Sequence, residues 1–287
     1  MTYQTLFHNF DLIKIPVILW KTIAFHRVQL FFMTVLVWKE DTWWDMRHFE
    51  METKKNIRTI FLEACSEIAN LLDDKDFKTL QKGQTFKKVS PNKDLYYEIY
   101  FQSSDRNSNR DITVLPHINI YSKRLKDWQI RQTGNQYSQG VVYSNTLGHI
   151  SPCGYRDWNV AGMSGTIEIN HIAELINKYA LPIFHLFDNI QNAIDFLSVN
   201  GTQFNKYSQE SIVPLDFLIC HAEKEASEQF FNNFVKNCSY KGKIISLYKE
   251  LETNDDINLN YSEFYGADKV KLAFVNELSL VPEILLR

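Results

Sequence analysis

The chain has 287 residues, 45% of them hydrophobic and 23% charged, with a formal net charge of −3. That is the make-up of a globular protein with a core of ordinary size, in one large domain or two small ones. It argues against a dedicated nucleic-acid binder, which needs a basic face to neutralise phosphates.

Residues 1–50 differ from the rest, holding Trp20, Trp38, Trp43 and Trp44 and a dense apolar run over 12–38. Lys21, His26, Arg27 and Gln29 interrupt that run. A charge near a bilayer centre costs at least about 2.5 kcal/mol, so a single membrane span is not expected. No small-residue cleavage site follows Val37, which also argues against a secretory signal. Two readings stand. Residues 12–38 form an amphipathic helix, Pro16 near its start, that docks on the body or on a membrane surface. Or residues 1–50 are an upstream extension outside the native protein, and Met51, followed by Glu52-Thr53-Lys54-Lys55, is the start. The second is preferred.

After Met51 the pattern is clear. Ile57, Ile60, Phe61, Ala64, Ile68 and Leu71 recur at helical spacing, predicting an amphipathic helix over 54–72. A hairpin follows: Phe77-Lys78, then Gly83 to Lys88, a turn at Ser90-Pro91-Asn92-Lys93-Asp94, and a strand over 95–104. In that strand Leu95, Tyr97, Ile99 and Phe101 share one face, and Tyr96, Glu98, Tyr100 and Gln102 the other. Residues 105–111 are a polar loop. A third strand is predicted over 112–121, where Pro116 suggests an edge or a bulge. Residues 122–165, rich in Gly, Asn, Gln and Ser, are read as one or two strands with long loops. Helices are predicted over 170–179, 189–197, 215–237, 239–251 and 262–278, the first two flanking a breaker at Leu181-Pro182. The fold class is therefore α+β: an N-terminal helix, an antiparallel sheet of four to five strands, and a helical C-terminal part. The expected organisation is 1–50 extension, 51–200 sheet domain and 201–287 helical subdomain, with a soft boundary near Asn200-Gly201.

Asp76-Phe77-Lys78, Gly83-Gln84-Thr85-Phe86, Phe101-Gln102-Ser103-Ser104 and Lys178-Tyr179-Ala180-Leu181-Pro182 followed by Phe187 to Leu197 form a pattern. It resembles the bacterial family catalogued as domain of unknown function 4304, over about residues 54–200. Asp76 stands where the family pattern has glycine. The resemblance implies the fold; the family has no established activity. Proteins of this kind are similar to immunity or partner-binding proteins of bacterial toxin systems, an analogy of fold.

Sites of chemistry are sparse. There is no phosphate-binding loop; Gly162-Met163-Ser164-Gly165 lacks the lysine. Glu168 and His171 have ligand spacing on a helix, with Glu174 near, but one such motif does not make a di-metal site, and Asn170 reads as a helix cap. No metal or cofactor is expected. The four cysteines, Cys65, Cys153, Cys220 and Cys238, form no C-x-x-C pair and read as free thiols in a reducing compartment. Cys153 with His149 suggests a thiol and base, but Ser151-Pro152-Cys153-Gly154 reads as a turn. Cys220-His221 is read as structural. Trp128, Tyr155 and Trp158, with Arg156, are either interface anchors or caps on a sheet edge. Glu250, Glu252, Asp255, Asp256 and Glu263 form an acidic stretch, either a solvated loop or a surface for a basic partner.

The leading expectation is a non-catalytic, cytoplasmic bacterial protein that binds another protein, with a basic toxin domain as its partner in a toxin-neutralising role. The alternatives are an enzyme using His149, Cys153, Arg156 and Asp157, and a membrane-surface protein anchored by residues 12–38.

Overall fold

A computed structural model describes residues 56–253 and 257–285. The readings for residues 1–50, the start at Met51 and the 12–38 anchor lie outside the described residues. The first helix, α1 (Ile57–Leu71), begins where Asn56 accepts a hydrogen bond from the Arg58 amide, 3.1 Å. Its face of Phe61, Ala64, Cys65 and Ile68 is buried.

The sheet follows as a meander: β1 (Lys78–Leu80), β2 (Thr85–Val89), β3 (Leu95–Ser103) and β4 (Thr113–Ser122), each antiparallel to the last. Two further strands, β5 (Val141–Thr146) and the two-residue β6 (Trp158–Asn159), both pair with β4. The result is a six-stranded antiparallel sheet in an α+β fold. Pro116 sits in central β4 rather than on an edge. It faces Phe101 of β3, and on its other side β5 pairing stops at His117 while β6 pairing starts at Val114. The missing N–H therefore falls in the gap between the two short strands.

The alternation in β3 sorts two faces. Leu95, Tyr97, Ile99 and Phe101 are fully buried. Phe101 meets Phe86 edge-on at 4.9 Å, and Tyr97 stacks on Phe184 at 4.9 Å while its hydroxyl donates to Asp188, 2.8 Å. Rings thus tie the sheet's inner face to the helices.

Within the stretch read as loop, residues 123–133 form a helix, α2 (Lys123–Thr133), capped by Ser122 and stopped by Gly134 at φ +69°. Gly140 is required where the chain returns: a Cβ there would stand 2.2 Å from the Ser122 carbonyl oxygen.

Beyond the sheet come α3 (Gly165–Leu175), α4 (Leu181–Phe187) and α5 (Ile190–Asn200). Asn170 lies inside α3, so it is not the cap; the helix starts after Ser164. Leu181-Pro182 does not break the run, because a π-helical turn, Ile176–Ala180, leads straight into α4. Proline cannot donate to the carbonyl four residues back and crowds it, and the wider turn absorbs both effects.

The last helices are α6 (Leu215–His221), α7 (Lys224–Asn237), α8 (Lys241–Leu251), α9 (Ala267–Val275) and α10 (Pro282–Leu285). The single helix expected over 215–237 is two, parted at extended Ala222 and Glu223. The apolar core runs across position 200: Phe187 meets Phe204 at 6.2 Å and Phe217 at 6.0 Å, and α5 packs on α7.

Candidate functional site

The loop cluster read for a partner or for catalysis comes apart. Trp158 is fully buried, so it closes the sheet edge through β6 and reaches no partner. Trp128 packs half-buried against the core. Tyr155 is 79% exposed and alone of the three can anchor a contact. Arg156 grips both oxygens of Glu168, at 3.0 and 2.8 Å, and lies 5.5 Å from the Trp158 ring. His171 Nδ1 accepts from the Trp158 indole N–H at 3.4 Å. Glu168 and His171 are thus taken up in packing, and among the described residues no group of three or more metal-ligating side chains is assembled. His149 Nδ1 pairs with Thr146 Oγ1 at 3.1 Å, and no hydrogen bond among the described residues joins it to Cys153. Asp157 is exposed.

The acidic stretch lies only partly within the described residues. Glu250 and Glu252 are exposed at the end of α8, and Asp255 and Asp256 lie outside the described residues. Glu263 is not free: it accepts from the buried Lys271 ammonium at 2.6 Å, which also donates to the Tyr261 carbonyl at 2.9 Å. It pins its own loop. All four cysteines are free thiols, and burial pushes the Cys65 thiol up to about 12. Among the described residues no helix is long and apolar enough to cross a membrane.

Two buried polar clusters escaped the sequence reading. Ser122 donates to Asp94 at 2.8 Å, and His221 Nε2 lies 3.3 Å from Ser122 and 3.6 Å from Asp94. In a nucleophilic triad the imidazole bridges hydroxyl and carboxylate through opposite ring nitrogens. Here one nitrogen faces both, and Ser122, fully buried, is the cap of α2. The cluster joins the turn between β2 and β3, the junction of β4 with α2, and α6; it is a structural joint. In the second, Asp216 takes hydrogen bonds from Gln129 at 2.7 Å and from Lys269 at 2.5 Å. Burial works against the Lys269 charge, but Asp216 and Asp268 outweigh it and hold the ammonium protonated.

What remains open among the described residues is the outer face of the sheet. The register builds it in rows. Lys87, Glu98, Asn119 and Ser144 stand side by side across β2, β3, β4 and β5. Tyr96 pairs with Tyr121 on one side of that row, and Tyr100 with His117 on the other. Tyr96 and Tyr121 stack at 4.8 Å, and the Tyr100 and His117 rings are 5.9 Å apart. Glu98, Tyr100, Gln102, His117, Asn119 and Tyr121 line a shallow depression of about 380 Å³. Asn119 and Tyr121 both donate to Glu98 Oε1, at long range, 3.4 Å each. Burial, with the Glu98 charge beside it, pushes the Tyr121 phenol well up; burial holds the His117 imidazole below its ordinary value. At neutral pH the depression therefore presents one carboxylate, neutral rings and amides. The alternation of residues 95–102 carried this face in plain view. What it did not carry is that the helices stack on the other side.

No family model matches the chain, and no curated protein or solved structure matches it.

Proposed function

We propose that this chain acts by binding another protein, without catalysis, and that the outer face of the sheet is the surface it uses. The observation that supports this is the grouping of Tyr96, Tyr100, Tyr121, His117, Asn119 and Glu98 on one face that none of the other described elements packs over. Tyrosines give large, stiff contact area at low entropic cost, and amides and carboxylates around them give register. The same face is a poor fit to nucleic acid: Lys78 and Lys87 pair at its edge, but Lys87 is engaged with a ring, Glu98 stands beside it, and the chain carries a net charge of −3. The setting we propose is a bacterial cytoplasm, where the resemblance to domain of unknown function 4304 suggests a toxin-neutralising role.

The test is differential capture from a lysate of the source organism. The bait is the wild-type chain or a Gln102→Lys/Ser144→Lys variant, both positions being exposed. We expect at least one protein, quantified by mass spectrometry, to be retained by wild type and lost from the variant at equal thermal stability. Identical retained sets would contradict the proposal.

A further inference from the structure

Glu98 is a carboxylate set among rings, held by two long hydrogen bonds. Lys87 stands directly across from it on β2, yet among the described residues Glu98 has no ion pair. The Lys87 ammonium lies over the Tyr96 ring instead, 3.7 Å from its centre. On the other side Glu98 meets the amide of Asn119. Oε1 holds two long contacts, and Oε2 accepts no hydrogen bond among the described residues. Tyr100, two residues along the same face, offers its ring at the edge of the depression, and His117 is held there by Gln102, 2.8 Å away.

From this we infer that the depression receives an arginine side chain of the partner, its guanidinium paired with Glu98 and lying along the Tyr100 ring. The inference rests on the outer face being the binding surface. A carboxylate with spare acceptor capacity matches the planar fork of a guanidinium, and an adjacent aromatic face adds stacking and cation–π attraction. A neutral amide or hydroxyl from the partner would leave the Glu98 charge uncompensated on closure, which is costly at a drying interface. The interleaved order, Tyr96-Glu98-Tyr100 on one strand and Tyr121-Asn119-His117 on the next, puts rings above and below the charge, with the Asn119 amide on one side of it and Lys87 on the other.

The experiment is a two-dimensional NMR titration of the chain with N-acetyl-arginine amide, with N-acetyl-citrulline amide as the uncharged isostere. We expect saturable shifts for Glu98, Tyr100, His117, Asn119 and Tyr121 with the arginine probe. Citrulline should bind about fivefold more weakly or worse, the equivalent of one exposed charge pair. Glu98→Gln should reduce arginine binding to the citrulline level, with the amide spectrum otherwise unchanged. Equal binding of the two probes, or arginine shifts clustered elsewhere, such as around Glu250 and Glu252, would overturn the inference. If the probes fail while the Gln102→Lys/Ser144→Lys variant still loses its captured protein, the face binds without an arginine and only this inference falls.

Discussion

The ammonium of Lys87 lies over the ring of Tyr96, 3.7 Å from its centre. It could have turned across the strand pair to Glu98, its register partner. By staying on the ring, it supports the stacked pair of Tyr96 and Tyr121 and leaves Glu98 Oε2 without a donor among the described residues.

Lys87→Ala should therefore cost about 0.5–1 kcal/mol through the lost cation–π contact. In a chain of this size that is a fall of a few degrees in Tm. The same change should strengthen binding of N-acetyl-arginine amide, because a like charge beside the depression is gone. A weaker interaction with the probe, measured by the same titration, would mean that Lys87 is part of the recognition rather than its neighbour.

The two faces of β3 make opposite demands. Phe101 is fully buried against Phe86, so Phe101→Ala should cost about 3–5 kcal/mol, as aromatic truncations in cores do. Tyr100→Ala, one residue earlier and half-buried on the outer face, should cost less than about 1.5 kcal/mol, half of what full burial of a ring contributes. Urea unfolding of both variants decides it. A reversed order would place the strand one residue out of register.

His221 gives the fold a pH dependence. Its ring is 2% exposed, and burial, opposed by Asp94 and aided by Arg124, pushes the imidazole down to about 4. Below its ordinary value of 6.5 the unfolded chain takes up the proton and the folded chain does not, so stability falls as pH drops from about 6.5 to about 4. The loss approaches about 1.4 kcal/mol per pH unit, or about 3 kcal/mol over the window. His221→Gln should flatten that part of the stability curve relative to wild type. Parallel curves for the two proteins between pH 7 and 4 would show that His221 is not the group responsible.

Much of this architecture is written in local pattern. The period-3.6 apolar spacing from Ile57 to Leu71 and the period-2 alternation from Leu95 to Gln102 have counterparts in α1 and β3. The helix over 123–133 was hidden because Leu125 is its one fully buried side chain, too little to make a periodic stripe; the legible signals were Ser122 at its start and Gly134 at its end. Of the two readings open for Trp158, interface anchor or cap on a sheet edge, the second holds, because a two-residue strand carries it onto β4. The candidate site was half legible. The residues of the outer face could be read off β3 and β4, whereas the choice of which face the helices cover depends on contacts such as Tyr97 with Phe184, 87 positions apart in the chain. Local sequence does not carry such long-range choices.

The central claim is that the outer sheet face is the recognition surface. Its most direct measurement is the Kd of the captured partner for wild type, Tyr100→Ala, Tyr155→Ala and Glu252→Lys, each at matched folded fraction. An interface hot spot costs at least about 2 kcal/mol, so Tyr100→Ala should weaken binding about thirtyfold or more. Tyr155→Ala and Glu252→Lys should stay within about twofold of wild type. A Tyr100→Ala protein that binds like wild type, with the loss falling instead on Tyr155→Ala or Glu252→Lys, would contradict the account and move the interface to the loop or to the acidic corner.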